Sequence, residues 1–477
     1  MDKILLKQTH IIVENYNLGD NKALEEMLTC RDKYDKITSI YYSYDSKNNV
    51  LRLPRGIDVN FLSTELDRPL EFVPLEEKPK KMTIKLTVPP KNELQSKSIM
   101  FLTGEGEFNY TNKYSQLSLN LPTGEGKTYV TIASCTRIKE KVLIITNVEN
   151  IKEQWYASLL KFTNINEEEI LNINSSKILK KIWEDDLQPY KIYLVNHATL
   201  TSFANKYSWF ELDTIFKNMG IGVKVIDEAH KNFGNTVMMD LYTNVKKTIY
   251  LTATLNRSDW REDKVFNTFF STIAKYGKNA IYTKEKTTIY VPVKYNSYPS
   301  VRTQARMKTF RGFNRYRYCD YCIKNEKFIE VLNQMLNIFT AKDYGKILIL
   351  ISKIDSGFIL ADMIREKFPN KKVGIYNSKI DKEEKIEQKK SDIIISTAAS
   401  LGTGSDINNL RVVIMCEAYS SDVISIQTLG RLRSIEGVDC FFVELVDEGF
   451  NMIIEMQKRR ERLFKYRCSK ILKLRIK

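Results

Sequence analysis

Residues 121 to 128 read Leu-Pro-Thr-Gly-Glu-Gly-Lys-Thr, and this segment constrains the fold more than any other. A glycine-rich loop ending in Lys-Thr cradles phosphates where it leaves a strand and opens a helix, because the first N–H groups of that helix lack partners of their own. Gly124 and Gly126 let the backbone approach a ligand, and Pro122, Thr123 and Glu125 complete the turn. Further along stands Asp227-Glu228-Ala229-His230, at the end of the apolar run Val223-Lys224-Val225-Ile226. Two neighbouring carboxylates at a strand end repel each other unless a cation sits beside them. Together the two segments predict a site for a nucleoside triphosphate and Mg2+. Lys127 and backbone N–H groups take the phosphates, Thr128 and Asp227 take the metal, and Glu228 orients the attacking water.

The surrounding pattern is that of a parallel sheet. Segments 142–146, 192–195, 223–226 and 248–252 are almost continuously apolar and β-branched, as strands buried on both faces must be, and helical stretches separate them. A short strand at 117–121 leads into the loop, and a helix is expected from Lys127 to Ile138. A second series at 347–351, 373–376, 393–396, 412–416 and 441–445 predicts another α/β domain without a phosphate loop. Ahead of both lies a small α+β unit. It reads as a strand at 4–13, a helix at 19–28, and a hairpin of 40–44 and 50–53 about Lys47-Asn48-Asn49, followed by a charged linker at 76–81. The expected domains are 1–80, 81–280 and 281–477.

Charge points to the partner. Lys and Arg total 74 against 58 Asp and Glu, a net charge of +16, which favours a polyanion, nucleic acid before membrane. No apolar run approaches the roughly 18 residues of a membrane span, and the N-terminus lacks a signal-peptide pattern. Seven cysteines without framework spacing fit a reducing cytoplasm. With only three histidines, a histidine-rich metal site is hard to build. Cys319 and Cys322 lack a second pair to complete four ligands, and are read as packing residues.

With these residues in order, the chain resembles superfamily 2 helicases of the DEAH-lettered type over roughly 90–445. Gln95 resembles the glutamine that recognises adenine. Ile144-Ile145-Thr146-Asn147 with Gln154-Trp155 resembles motif Ia, although Asn147 stands where proline is usual. Leu251-Thr252-Ala253-Thr254 matches motif III, Ser396-Thr397 with Gly402-Thr403-Gly404-Ser405-Asp406 resembles motif V, and Gln427 to Arg433 resembles motif VI. Leu121 departs from the common phosphate-loop pattern, which has glycine there. The resemblance implies two tandem RecA-like doubly wound parallel-sheet domains with a small N-terminal α+β domain. It also implies that Lys127, Glu228, Gln427, Arg431 and Arg433 carry the catalysis. Gly404 and Asp406 join the nucleotide site, His230, Thr252 and Thr254 couple it to domain movement, and Thr146, Gln154 and Thr397 contact nucleic acid. Relatives often place the second arginine where this chain has Ser434, so Arg433 is the candidate finger.

The string Val50-Leu51-Arg52-Leu53-Pro54-Arg55-Gly56 is similar to compact phage helicases of the UvsW kind, related to XPB-type and RecG-type motors, which remodel branched DNA in repair and recombination. That implies a monomeric motor on duplex, forked or branched DNA, working in the cytoplasm (the host's for a viral or phage protein), with the N-terminal unit as a candidate DNA contact. Two basic regions are further candidates. Arg302, Arg306, Lys308, Arg311, Arg315 and Arg317 interleave with Phe310, Phe313, Tyr316 and Tyr318, a mixture suited to phosphate contact and base stacking. The run from Lys458 to Lys477 reads as a basic helix. The motifs leave open an RNA helicase or transcript-release ATPase, and a non-catalytic nucleic-acid-binding scaffold, because such motors grip mainly the phosphate backbone.

Overall fold

The computed structural model describes the chain except residues 1, 33, 122–123, 188, 253–259, 278–284, 310–311, 343, 402–406, 418–421, 433–437 and 477, and describes only the backbone of 260–261, 285–286, 382, 399, 401, 422–423 and 427. It divides into two compact units, Met1–Asn279 and Ala280–Lys477.

The first unit begins with a five-stranded mixed sheet. The single strand expected at 4–13 is two, β1 (Ile4–Leu6) and β2 (His10–Val13), which pair antiparallel across the turn at Lys7–Thr9. β3 (Thr29–Arg31) and β4 (Ile37–Ile40) form a separate ribbon whose second strand is exposed along its length. β5 (Ser43–Asp45) and β6 (Val50–Pro54) make the expected hairpin, with Asn49 in the left-handed region at φ 53°. β7 (Leu70–Phe72) completes the order β5-β6-β2-β1-β7.

This small sheet is fastened to the rest of the first unit. The Arg52 guanidinium lies 4.7 Å from the Phe210 ring centroid and 5.4 Å from that of Tyr242. Gly56 fits against the Phe269 carbonyl so closely that a Cβ would lie 1.7 Å from its oxygen, and Thr272 donates to the Gly56 carbonyl from both N (3.1 Å) and Oγ1 (3.0 Å). Gln116 Nε2 donates to Thr9 O at 3.2 Å. Arg52 and Gly56, both in the string that resembles UvsW-type helicases, make these packing contacts.

The main sheet of this unit contains β8 (Gln116–Asn120), β9 (Lys141–Thr146), β10 (Ile170–Ile173), β11 (Ile192–Asn196), β12 (Ile221–Ile226), β13 (Lys247–Thr252) and β14 (Ala274–Tyr276). All are parallel, in the order β10-β11-β9-β12-β13-β8-β14. Alternate residues feed two cores: Val142 and Ile144 one, Leu143 and Ile145 the other. Lys224 on β12 is fully buried, and its ammonium meets Asp240 of the helix Phe233–Tyr242 at 2.6 Å and Thr243 Oγ1 at 3.1 Å. Tyr250 OH donates to the other Asp240 oxygen, so both charges are satisfied. Because every strand runs the same way, the C-terminal ends of β8, β9, β12 and β13 lie on one edge.

The second unit repeats the plan. β15 (Glu285–Tyr295) precedes a short ribbon of β16 (Lys308–Thr309) and β17 (Gly312–Phe313). Then come β18 (Lys346–Leu350), β19 (Val373–Tyr376), β20 (Ile393–Ser396), β21 (Leu410–Met415), β22 (Cys440–Asp447) and β23 (Cys468–Ile471). The order is β19-β20-β18-β21-β22-β15-β23, with β24 (Leu474–Arg475) also beside β15. The basic C-terminal run is therefore not one helix. The helix Asn451–Lys465 ends and the chain returns as strands, with Arg460 bonded inside to Glu444 at 2.6 Å and Arg467 buried. Cys319 and Cys322 face the core from the helix Arg315–Cys322, and all seven cysteines are buried and none is in a disulfide. Among the described residues no three His, Cys, Asp or Glu side chains could hold a metal ion, and no helix is long and apolar enough to cross a membrane.

Candidate nucleotide site

The phosphate loop has the context its chemistry requires, between β8 and the helix Lys127–Ile138. Gly124 and Gly126 take φ values of 93° and 85°, which side chains disfavour, and Gly126 caps the helix. Lys127 Nζ reaches back across the loop to donate to Leu121 O at 2.9 Å. Gln95 is buried against the same turn, on the helix Glu93–Thr103 that Asn92 caps. Its Nε2 donates to Glu125 O at 3.1 Å and its Oε1 accepts from Lys91 N at 2.9 Å. A Cβ on Gly126 would lie 2.6 Å from that Nε2. Whatever else Gln95 recognises, it holds the loop.

The acidic loop is an extension of β12. Asp227 N donates to Ile145 O at 2.9 Å and Ala229 N to Leu251 O at 2.9 Å, so the loop is tied to strands β9 and β13 on either side. Glu228 sits at φ 49°, in the left-handed region, and its N–H turns back onto Asp227 Oδ1 at 2.9 Å. Trp155 Nε1 donates to the other oxygen, Asp227 Oδ2, at 2.8 Å. Burial, and then the negative charge of Glu228, push the Asp227 carboxyl up to about 6, while the Trp155 hydrogen bond and the charge of Lys127 oppose the rise. Glu228 Oε2 is buried and accepts no hydrogen bond, and His230 Nδ1 lies 3.3 Å away. The same ring nitrogen is 3.0 Å from Thr252 Oγ1, which joins the acidic loop to the end of β13. Such a carboxylate pair, short of positive charge beside a lysine, suits a hard divalent cation.

Asn147, in the position where proline is usual, stitches this loop from below. Its Nδ2 donates to Asp227 O at 3.0 Å and Glu228 O at 3.4 Å, and its Oδ1 accepts from Asn232 Nδ2 at 2.9 Å. Neither Asn147 nor Trp155 was given this role by the sequence. Only the adjacency of β9 and β12 brings them to the acidic loop, although an uncommon polar residue in a motif is a signal in itself.

Gln95, Gly124 to Thr128, Asp227, Glu228, His230 and Thr252 thus belong to one edge of one sheet. Thr146 does not present itself there: it is fully buried, with its hydroxyl donating to Asn196 Oδ1 at 2.6 Å, so the expected polymer contact is internal in this form. Gln154 is partly exposed. In the second unit, Thr397 is buried and its Oγ1 accepts from Ser400 N at 3.0 Å. Arg431 is half-buried in the turn after the helix Asp422–Leu429. Arg315 is half-buried, and Arg317 is exposed with Nη1 donating to Arg306 O at 3.1 Å. Pro122, Thr123, Thr254, Gly404, Asp406 and Arg433 lie outside the described residues, as does the side chain of Gln427.

Residues 81–257 match the family model described as type III restriction enzyme, res subunit. A putative helicase, 161L, of Invertebrate iridescent virus 6 is 22% identical over 450 residues, covering 88% of this chain and 94% of that protein. The Drosophila melanogaster XPB subunit, a helicase/translocase of general transcription and DNA repair factor IIH, is 23% identical over 372 residues, covering 72% of this chain and 42% of that one. The solved structure of S. cerevisiae Dbp5 bound to RNA and ADP BeF3 superposes with a TM-score of 0.54 at 11% identity, covering 80% of this chain and 89% of that one. That likeness is one of fold: both sheets are RecA-like.

Proposed function

We propose, for a chain that belongs to the superfamily 2 helicases, that its polymer is DNA, and that it couples ATP hydrolysis to unwinding or branch migration of duplex or branched DNA. The family makes it an ATP-hydrolysing nucleic-acid helicase; the DNA substrate, Mg2+ and the DEAH-type subclass are the further step. The observation that carries the catalytic reading is the buried Asp227, pushed up to about 6, beside a Glu228 oxygen with no hydrogen-bond donor and within the field of Lys127. Mg2+, when bound with ATP, would offset negative charge on the phosphate oxygens. Lys127 and the amides opening its helix would hold the phosphates, Thr128 and Asp227 would hold the metal, and Glu228 would orient the water and take its proton. His230 and Thr252 are the proposed coupling residues toward β13, and Gln427, Arg431 and Arg433 are the proposed further catalytic residues. Gln154, Thr397, Arg315 and Arg317 are the proposed polymer contacts. The net charge of +16 favours a polyanion, and the DNA repair factor to which the XPB relative belongs favours DNA.

The test is ATP turnover with forked DNA, single-stranded DNA and RNA at one fixed salt concentration. DNA should stimulate, and Lys127→Ala and Glu228→Gln should each lower stimulated turnover by about 10²–10⁴-fold. Undiminished turnover in both variants refutes the site. Stimulation by RNA alone moves the substrate to RNA, and background turnover with every polymer returns the chain to a binding scaffold.

A further inference from the structure

The two acidic side chains of the site are held differently. Asp227 accepts one donor on each oxygen, Trp155 Nε1 at 2.8 Å and Glu228 N at 2.9 Å, whereas Glu228 Oε2 accepts none. A carboxylate rotates easily about its last bond, since that torsion has only broad minima, so two donors on opposite oxygens are what fix its plane. One of them comes with the backbone. The other is brought by a side chain 72 positions away.

Trp155 is built for that purpose. It lies on the helix Glu149–Phe162, is 1% exposed, and packs in the core that also holds Ile144 and Leu159. A ring so enclosed cannot swing aside, and its single N–H must find its acceptor inside the protein. The acceptor it finds is the carboxylate assigned above to the metal.

We propose that Trp155 is a positioning residue for Asp227: its indole N–H fixes the carboxylate plane and thereby sets how tightly the site takes a divalent cation. This rests on the reading that Asp227 holds the metal. Donors that orient a metal ligand typically account for 10–100-fold in metal affinity. Trp155 also directly follows Gln154, a proposed polymer contact, so one turn of helix carries both.

The test uses the full chain and a fluorescent ADP analogue, titrated with Mg2+ without turnover. Trp155→Phe keeps an aromatic ring and loses the N–H. Its half-saturating Mg2+ should rise about 10–100-fold, while analogue binding in EDTA should stay within about twofold. Unchanged half-saturating Mg2+ overturns the proposal, even where turnover falls. Should Trp155→Phe not fold, as judged by circular dichroism, replacement of Trp155 by benzothienylalanine decides in its place, because sulfur replaces the N–H at nearly equal shape. Asp227→Asn separates the two layers. If it leaves the Mg2+ dependence unchanged, the metal assignment itself fails; if it shifts and the Trp155 variant does not, only the positioning role fails.

Discussion

Replacing Gly126 by alanine probes how the phosphate loop is held. Gly126 adopts φ 85°, and an L-residue there costs about 1–2 kcal/mol. The new Cβ would lie 2.6 Å from Gln95 Nε2, which can yield only by giving up its bond to Glu125 O, worth about 0.5–1.5 kcal/mol. Together these amount to about 1.5–3.5 kcal/mol, or roughly 10- to 400-fold in nucleotide affinity. Gln95→Ala alone forfeits the bond and should weaken binding several-fold. The double variant should cost less than the two singles combined, by about 1 kcal/mol, because the contact is counted once. Binding of fluorescent ATP and GTP analogues to the four proteins measures the cycle. A coupling below about 0.3 kcal/mol would refute the argument that Gln95 and Gly126 meet. If Gln95→Ala weakens ATP and GTP alike, Gln95 acts through the loop; a loss confined to ATP would show that it acts through adenine instead.

Asp240→Ala leaves the Lys224 ammonium buried without its counter-ion and should cost about 3–5 kcal/mol in denaturant unfolding, largely recovered by Lys224→Met with Asp240→Leu. His10 is buried and held to about 3, chiefly by desolvation, so its folded value lies below its unfolded 6.5 and the unfolded chain takes the extra proton as pH drops below 6.5. Stability should fall between pH 7 and pH 5 by about 2 kcal/mol from this group, and His10→Gln should remove that share of the slope. Gly56→Ala drives a methyl into the Phe269 carbonyl and should detach the N-terminal sheet, seen as an earlier melting transition and faster proteolysis at 76–81. A single unshifted transition would contradict it.

The elements legible in the sequence were those whose surroundings are uniform. β9, β12, β20 and β21 are buried along their whole length, so unbroken β-branched runs marked them to within two residues. β15 was not legible. It opens on Lys286-Thr287-Thr288 and contains Pro292, and it sits between β22 and β23, so its context rather than its composition makes it a strand. β10 is a four-residue edge strand with Asn172 inside, too short to carry a period. In the site, the phosphate loop and the acid pair are local and announce themselves. The Trp155 and Asn147 contacts depend on β9 lying beside β12, a pairing the sequence did not specify. The C-terminal basic run misled because charge alone does not separate Arg460, paired with a buried glutamate, from its solvated neighbours.

The buried cysteines have a practical consequence. Burial pushes the Cys135 thiol up to about 12 and raises that of Cys319, which leaves little thiolate at neutral pH, and none of the seven side chains is open to solvent. The native chain should resist maleimide dyes without mutation. One engineered surface cysteine in each unit would then be enough for single-molecule distance measurements in an otherwise unaltered protein.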